Sequence, residues 1–264
     1  MSKGKLLAQG RTAEVFTWGD AHVLKLLRDH APTEAAREAK ITQLAQANGV
    51  NTPAVEGVVE IEGRSGIIFE RIAGPTLLSQ LSRQPWHLIS YARQFAELHL
   101  AIHQSPAPNL SPFHTIMAQR IATVEALTPS MKQNILNTLT QIPTGDRLLH
   151  GDFHPDNIIA APQGLVIIDW LTAIQGPPIA EVAFTALLFK AAALPSTMPV
   201  SIRLMTNLFR NLFRRTYLGH YCHLSGLKLS QISALEGLAA AARLSDNIPA
   251  EKATLLKIVQ TQFA

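Results

Sequence analysis

The sequence predicts an α+β protein in two parts, a strand-rich N-terminal lobe over residues 1–73 and a larger, mainly helical lobe over residues 74–264. The first part alternates short apolar runs with glycine-bearing turns, a pattern typical of an antiparallel meander. Beyond it, apolar residues recur at spacings of three and four, the period of a helix. Gly74-Pro75 stands where the pattern changes and is the predicted boundary.

Five strands and one helix account for the N-terminal lobe. The helix begins after Pro32 and is stopped by Gly49, a residue type that ends many helices. Because successive apolar runs are joined by tight turns, we expect them to pair as an antiparallel sheet. The predicted strands cover residues 6–8, 14–18, 21–27, 54–61 and 66–72, and the predicted helix covers residues 33–48.

The second lobe is predicted to be helical except over residues 148–170. In that stretch, two short apolar runs flank Pro162-Gln163-Gly164, which predicts a β-hairpin with a three-residue loop and Gly164 in a left-handed conformation. The predicted helices cover residues 86–103, 129–142, 179–194, 200–224, 229–245 and 249–263.

Composition excludes several classes of protein. The chain has 264 residues, of which 47% are hydrophobic, so a large core is expected. Its single cysteine, Cys222, excludes a disulfide framework and a zinc site built from cysteines, and it fits a reducing compartment. No apolar run of signal-peptide length follows the first residues, and the longest apolar stretch, residues 179–195, contains two charges and is too short to span a bilayer. We therefore expect a cytoplasmic protein without a membrane partner.

The net charge of +4 is too small to indicate a nucleic-acid partner, and none is expected. The distribution of charge is uneven. Residues 171–264 carry nine basic and four acidic side chains, whereas residues 1–170 carry fourteen basic and fifteen acidic ones. A basic helical region disfavours a polycationic ligand such as an aminoglycoside and favours an anionic or neutral one.

The hairpin carries the residues with the clearest chemical meaning. With a three-residue loop, Asn157 lies opposite Asp169, with Cβ atoms ~5 Å apart. An amide oxygen beside a carboxylate is a pair of hard ligands that suits Mg²⁺ holding polyphosphate. Asp152, upstream in an irregular stretch, is placed to accept the proton of a hydroxyl that attacks a phosphoryl group. The alternative is a polar turn in which Asp152 and Asn157 bond only to the backbone.

The N-terminal lobe contains a matching set of residues. Lys25 interrupts an apolar strand, and Glu38 lies on the inward face of the following helix, so each needs a partner of opposite charge. We predict an ion pair between them that leaves the ammonium able to reach phosphate oxygens; the alternative is a structural salt bridge with no ligand. The loop of Gly10, Arg11 and Thr12 is a weaker candidate, whose backbone N–H groups could bind phosphate.

These residues, in this order, resemble the protein-kinase-like phosphotransferases, and in particular the aminoglycoside phosphotransferase/choline kinase family. The match rests on the run HGDFHPDN at 150–157, followed by IIDW at 167–170. Where the family often continues with Gly-Asp-Pro and Asp-Leu-Ala, this chain has GPP at 176–178 and EVA at 181–183. These departures weaken the transfer of roles to that segment and leave the catalytic set intact.

The resemblance implies a bilobal kinase-like fold that uses ATP and Mg²⁺. It also implies a hinge over residues 69–72 where backbone groups take the adenine edge. By resemblance, Asp152 is the catalytic base, and Asn157 and Asp169 bind Mg²⁺. The resemblance also implies that Lys25 contacts the α/β-phosphates and that Glu38 positions Lys25. It further implies that the phosphate loop consists of Gly10, Arg11 and Thr12 and that the hinge consists of Phe69, Glu70, Arg71 and Ile72.

The sequence therefore predicts an ATP-dependent phosphotransferase that moves the γ-phosphoryl group to a hydroxyl of a small molecule. No Ala-Pro-Glu segment closes an activation loop, which makes a protein substrate less favoured. Two alternatives stay open: a catalytically inactive, kinase-like regulatory module that binds nucleotide, and an atypical protein kinase. The sequence leaves the acceptor and the oligomeric state undetermined.

Two histidines and two tyrosines in the helical lobe remain ambiguous. His99 and His103 lie at i and i+4 on a helix, but no acidic ligand lies between them, so a zinc site is not expected. Tyr217 and Tyr221 lie beside further histidines and are candidates either for the lining of an acceptor pocket or for the core.

Overall fold

The computed structural model describes residues 3–28, 32–195 and 197–263. Contacts divide this part of the chain into two compact units. The first contains the described residues up to 83 together with residues 155–173, and the second contains residues 84–154 and the described residues from 174 onward. The strands are β1 Leu6–Gln9, β2 Ala13–Trp18, β3 His22–Leu27, β4 Val55–Ile61, β5 Arg64–Glu70, β6 Arg147–Leu149, β7 Ile158–Ala161, β8 Gly164–Ile167 and β9 Ile174–Gly176.

The described residues form ten α-helices, the first two in the first unit and the other eight in the second. They are α1 Pro32–Ala47, α2 Leu77–Arg83, α3 Leu88–Gln104, α4 Phe113–Thr123, α5 Pro129–Gln141, α6 Pro178–Ala191, α7 Val200–Ser225, α8 Leu229–Ser233, α9 Glu236–Arg243 and α10 Pro249–Phe263. Short 3-10 turns cover Pro85–His87, Pro155–Asn157 and Leu244–Asp246. No helix within the described residues combines the length and the apolarity that crossing a membrane requires.

The first unit is built on a five-stranded antiparallel sheet in the order β1-β2-β3-β5-β4. The central strand β3 is covered on both faces. Leu27 packs with Ala35 and Ala39 of α1, whereas Leu24 and Leu26 pack with side chains on the opposite face. The two alanines allow α1 to approach the sheet closely. The predicted sheet with its single helix is confirmed, with strand ends within two residues of those expected.

The hairpin of β7 and β8 has a different register from the predicted one. Ala161 pairs with Gly164, so the connection is the two residues between them rather than three. Gly164 has a φ of 128° and takes the first position of the ladder instead of closing the loop. As a result the backbone N–H of Ile168 donates to the carbonyl of Asn157 over 3.0 Å. The prediction that Asn157 lies opposite Asp169 is therefore wrong by one residue.

The segment at Gly74-Pro75 joins the sheet to this hairpin. The N–H of Ala160 donates to the carbonyl of Pro75 over 2.8 Å, and Thr76 bridges to Ile159. A Cβ at Gly74, whose φ is 152°, would lie 2.4 Å from the carbonyl oxygen of Ala160, so only glycine fits. Contacts thus group the hairpin with the first unit, although the predicted division placed it in the second lobe. The boundary at residue 73 stays a prediction.

The second unit has a helical core that the sequence indicated only in part. Five of the six predicted helices are present, with ends close to those expected. The segment predicted as one helix over 229–245 is instead α8, α9 and a 3-10 turn, and α2 and α4 were not predicted. Residues 239–242, four consecutive alanines, are fully buried, since side chains this small let neighbouring helices approach on every side.

Candidate active site

Lys25 lies between two carboxylates of the first unit. Its Nζ is 2.6 Å from Oε1 of Glu38 and 2.8 Å from Oδ1 of Asp169. The side chain of Glu38 is 1% exposed and that of Asp169 is 39% exposed. Burial disfavours the ammonium, but the charges of Glu38 and Asp169 more than offset it and raise the pKa of Lys25. An ammonium that is charged at neutral pH therefore lies beside a half-exposed carboxylate.

The predicted contact between Lys25 and Glu38 is present, and the contact with Asp169 is an addition to it. Side chains alternate along β3, so Lys25 points to the same face as Leu27, which is the face that α1 covers. Glu38 on α1 faces the sheet for the same reason. A lysine in an apolar row needs such a partner, because an unpaired buried charge is strongly unfavourable.

Asp169 has a φ of 68°, an unusual conformation for a residue other than glycine. Such a conformation costs on the order of 1–3 kcal/mol and persists only where the surroundings enforce it. Here Arg37 of α1 donates to the carbonyls of Leu171 and Ala173 over 2.9 and 2.7 Å, and the indole N–H of Trp170 donates to Oγ1 of Thr52 over 2.9 Å. These bonds hold the segment after β8 against α1 and Thr52 and keep Asp169 turned toward Lys25.

Asn157 ends the 3-10 turn that precedes β7, and it is buried. It therefore lies at the open end of the hairpin, where Asp169 follows β8 by two residues. The preceding Asp156 accepts from the hydroxyl of Thr76 over 2.8 Å, which anchors the turn. An amide and a carboxylate at this position form a donor set that suits Mg²⁺. Their role as metal ligands stays a prediction.

The other predicted nucleotide contacts lie at the ends of strands. Gly10, Arg11 and Thr12 connect β1 to β2, and the N–H of Gly10 is used within the turn, donating to Ala13. Arg71 follows β5, and its N–H donates to Ala21 over 2.9 Å. The remaining hinge candidates, Phe69 and Glu70, end β5, and Ile72 follows Arg71. The binding roles of both segments stay predictions.

Asp152 belongs to the second unit and is half-buried. Oδ2 of Asp152 is 3.3 Å from Nε2 of His154. Burial acts to raise the pKa of Asp152, but the hydrogen bond from His154 and the charges of His154, His150 and Arg243 outweigh it, so that its pKa is lowered. The group is therefore a carboxylate at neutral pH, the form able to accept a proton.

The residue after Asp152 fixes the loop in the core. Phe153 is fully buried, and its ring centroid lies 4.1 Å from that of His99 and 4.4 Å from that of Phe95. Its carbonyl accepts from the hydroxyl of Thr185 over 3.1 Å. The irregular backbone next to Asp152 is thus attached to α3 by the ring of Phe153 and to α6 by the carbonyl of Phe153.

Glu181 binds the same loop from the other end. This buried carboxylate accepts from the backbone N–H of His150 over 3.0 Å and from that of Gly151. It also contacts Nε2 of His99 at 3.1 Å and Nε2 of His103 at 2.9 Å. Burial acts to raise the pKa of Glu181, but the bonds from the two imidazoles outweigh it and hold its pKa well below the usual range. Sequence reasoning noted Glu181 only as a departure from the family pattern and missed this role.

The network fixes the tautomer of the imidazoles. Burial lowers the pKa of His99 to about 3, so its ring is neutral and carries one proton. Because Nε2 faces a carboxylate, that proton is assigned to Nε2, and Nδ1 accepts from the hydroxyl of Tyr217 over 2.8 Å. Nδ1 of His103 lies 2.6 Å from the hydroxyl of Tyr221 in the same way. Burial raises the pKa of both tyrosines, which keeps their hydroxyls protonated.

This geometry settles two ambiguities left by the sequence. Tyr217 and Tyr221 are 0% and 1% exposed, so they belong to the core and do not line an acceptor pocket. His99, His103 and Glu181 offer three ligand atoms within 4.8 Å of one another, and the acidic member comes from α6 and not from the residues between the two histidines. In the tautomers assigned here both Nε2 atoms donate to Glu181, so the hydrogen-bond network accounts for this cluster without a metal.

Comparison with solved structures shows which fold this is. An amicoumacin kinase complexed with AMP-PNP and Ca²⁺ superposes with a TM-score of 0.65 over 98% of this chain and 87% of that one, at 13% identity. The streptomycin–ATP–APH(2'')-IIa ternary complex gives 0.62 over 99% and 92%, at 18% identity. The ADP-bound aminoglycoside phosphotransferase APH(2'')-Ib gives 0.61 over 98% and 91%, at 17% identity. The predicted kinase-like α+β fold is confirmed.

Family membership follows from the sequence match. A model of the phosphotransferase enzyme family matches residues 3–218, and the chain belongs to that family. The resemblance inferred from the motifs, and the enzyme class that it implied, are thereby confirmed. A curated mouse (Mus musculus) protein, acyl-CoA dehydrogenase family member 10, is 36% identical over 77 residues, which are 27% of this chain and 7% of that protein.

The burial of the Lys25–Glu38 pair generates a stability prediction. Glu38→Leu leaves the ammonium with one half-exposed carboxylate, and we expect a loss of about 3 kcal/mol in the free energy of unfolding, the range for a broken buried pair. Replacing both partners by apolar residues, Lys25→Met with Glu38→Leu, removes the uncompensated charge and should restore most of that loss. Urea unfolding of the wild type, the single variant and the double variant measures the three free energies of unfolding. Equal destabilisation of the single and double variants would contradict the explanation.

The Glu181 network generates a prediction about pH. The pKa of His99 is about 3 in the folded chain, against an ordinary value of 6.5, so below pH 6.5 the unfolded chain binds a proton that the folded chain does not. This contribution to stability is complete above pH 6.5 and is lost progressively as the pH falls toward 3. We expect unfolding free energy to fall between pH 7 and pH 4.5, with up to ~1.4 kcal/mol per pH unit coming from His99.

The matched variants are His99→Gln and His220→Gln. His220 is a partly exposed histidine that pairs with Glu97 on the surface. Denaturant unfolding at several pH values should give a shallower slope for His99→Gln and the wild-type slope for His220→Gln. An unchanged slope in His99→Gln would assign the acid sensitivity to another group.

Proposed function

We propose that the chain is an ATP-dependent phosphotransferase that moves the γ-phosphoryl group to a hydroxyl of a small molecule. The observation that carries this proposal is the charged Lys25 held between Glu38 and Asp169 in a chain of the phosphotransferase enzyme family. The nucleotide is inferred from ligands named for three structures of the same fold: ADP, ATP and AMP-PNP. A purely structural salt bridge would not require the half-exposed third partner.

The proposed mechanism gives each unit its own task. Lys25 neutralises oxygens of the α- and β-phosphates, and Glu38 keeps its ammonium in place. Asn157 and Asp169 would hold Mg²⁺ through an amide and a carboxylate oxygen, and the ion would neutralise phosphate charge. The loops at residues 10–12 and 69–72 contribute backbone groups to the phosphates and to the adenine edge.

Asp152 serves as the base in this proposal. The acceptor oxygen forms a bond to the γ-phosphorus, the bond from that phosphorus to the β,γ-bridging oxygen breaks, and ADP leaves. The proton of the acceptor hydroxyl passes to the carboxylate of Asp152, which its lowered pKa keeps ready to accept it. Catalysis of this kind is mostly positioning, so the anchoring of residues 150–153 by Phe153 and Glu181 supports the assignment.

Replacing Asp152 tests its role as base. We expect Asp152→Ala to lower kcat at least ~10²-fold while the affinity for nucleotide is kept, because only the proton acceptor is removed. The control is Asp146→Ala, which removes an exposed carboxylate that lies 3.5 Å from the guanidinium of its neighbour Arg147. Turnover is measured with a coupled ADP assay over a panel of sugars, hydroxy acids, amino alcohols, nucleosides and aminoglycosides. Turnover of Asp152→Ala close to that of the wild type would remove the residue from this role.

Replacing Asp169 tests the metal site. Asp169→Asn replaces the carboxylate that faces Lys25 and the proposed metal site by a neutral amide. We therefore expect the Mg²⁺-dependent gain in nucleotide affinity to be lost. Titration calorimetry with ATP in the presence and absence of Mg²⁺ gives the two affinities for each protein. A metal-dependent gain as large as that of the wild type would exclude Asp169 as a ligand. Binding of nucleotide with no turnover of any acceptor by the wild type would favour the regulatory module instead.

A further inference from the structure

The inner side of α7 carries two arginines as well as its buried aromatic residues. Phe213, Tyr217 and Tyr221 are buried on this side of the helix. Arg210 and Arg214 precede Phe213 and Tyr217 by three residues each, which places them on the same side, and both are partly buried. We call Arg210 and Arg214 the arginine pair of α7. They lie on the side of the helix that faces the rest of the second unit.

Neither member of the arginine pair has a partner for its charge within the described residues. Neither guanidinium forms a hydrogen bond or an ion pair there, and Nε of Arg214 is buried as well as unbonded. Burial lowers the pKa of Arg210, and the charge of Glu251 offsets that effect only in part. Both carboxylate oxygens of Glu251 are already bonded to Arg243, over 2.9 and 3.3 Å.

Two other partly buried arginines of the second unit show the usual arrangement. Arg120 donates to Asp246 over 2.7 Å, and Arg243 donates to Asp246 over 2.9 Å in addition to its bonds with Glu251. Removing a charged group from water without a partner is unfavourable, and two like charges one helical turn apart repel each other. A bound anion would remove both penalties from the arginine pair.

Helix α7 runs beside α3 in a constant register. The hydroxyls of Tyr217 and Tyr221 bond to histidines of α3 that each lie 118 residues earlier in the chain. The same offset places the arginine pair beside Ala92 and Ala96, which are both 0% exposed. An alanine side chain offers no hydrogen-bond acceptor, so α3 gives the two guanidinium groups no counter-charge.

The arginine pair lies near the residues that hold Asp152. Phe213 lies between the two arginines in sequence, and its ring centroid is 5.4 Å from that of Phe95. The ring of Phe95 is in turn 4.4 Å from that of Phe153, the residue directly after Asp152. Two aromatic contacts therefore connect this part of α7 to the loop that carries the proposed base.

Charge connects the same groups by a second route. Arg243 lowers the pKa of Asp152, and Arg243 is bonded to Glu251, whose charge raises the pKa of Arg210. Effects of this kind fall off with distance, so the groups lie in one region of the second unit. A small molecule whose hydroxyl meets Asp152 therefore extends toward the arginine pair on one of its sides.

We infer that Arg210 and Arg214 bind an anionic group of the acceptor, a carboxylate or a phosphate on the same small molecule whose hydroxyl is phosphorylated. This inference rests on the proposed function and names the class of its acceptor. The planar guanidinium fork matches the oxygens of either group, and side chains at i and i+4 can donate to one anion together. A polycationic acceptor would instead bring amino groups next to two positive charges.

Turnover of matched acceptors tests the inference. The coupled ADP assay compares glycerate with glycerol and gluconate with glucose, which offer similar hydroxyls with and without a carboxylate. We expect the wild type to have a kcat/KM at least ~10-fold higher for the anionic member of a pair. In Arg210→Gln and Arg214→Gln, KM for that member should rise at least ~10-fold with kcat largely kept, because the lost contact lies away from the transferred phosphoryl group.

The matched control is Arg215→Gln. It removes the same charge from the same helix, but Arg215 is exposed, so a general effect of charge would appear in it as well. Arg210→Lys keeps a positive charge without the planar fork and should keep part of the preference. An Arg210→Gln protein that matches Arg215→Gln for every acceptor would overturn the inference and leave phosphotransfer standing. A wild type that prefers aminoglycosides to every anionic acceptor would do the same.

A binding measurement separates this inference from the proposed function. Inorganic phosphate, added at constant ionic strength in the presence of ADP, should raise the Tm of the wild type and of Arg215→Gln. The rise should be clearly smaller for Arg210→Gln and Arg214→Gln, and the Tm values also show that each variant is folded. If no acceptor is turned over, the proposed function fails, and this titration still decides whether the arginine pair binds an anion. An equal rise in all four proteins would overturn the inference.

Discussion

The constraint on which the first unit depends is the burial of an ammonium group in an apolar sheet. Lys25 can lie in the middle of β3 only because Glu38 and Asp169 meet it there, and each comes from a different element. The same contact therefore sets the position of α1 on the sheet and turns the segment after β8 inward. A hydrophobic residue at position 25 would pack as well, but it would bind neither Glu38 nor Asp169. Burying the ammonium of Lys25 lowers stability, but it selects one arrangement of the three elements that meet there.

The second unit uses a buried charge of the opposite sign in a similar way. Glu181 is held as a carboxylate by four donors, two from the backbone of the loop at 150–151 and two from His99 and His103. The second ring nitrogen of each imidazole, Nδ1, is bonded to a tyrosine hydroxyl. Each of these polar groups has a hydrogen-bond partner within the network, an arrangement that favours a single conformation. The stiffness reaches the backbone next to Asp152, where the proposed chemistry needs a fixed carboxylate.

The contacts that could be predicted from the sequence are those that a local residue pattern indicates. A lysine inside an apolar strand and a glutamate on an inward helical face indicate each other, so the Lys25–Glu38 contact was readable. The hairpin register could not be predicted in this way, because Pro162-Gln163-Gly164 is compatible with a two-residue or a three-residue loop. Only the conformation of Gly164 decides between the two loop lengths. The bond between Glu181 and His99 joins residues 82 apart in the chain. No spacing rule connects them, because helix packing brings them together.

Helix α7 links the two uses of the second unit. Its second half carries Tyr217 and Tyr221, which complete the network next to residues 150–153, while several apolar side chains of its first half are exposed. An α-helix of 26 residues transmits a constraint along its axis, since each turn is bonded to the next.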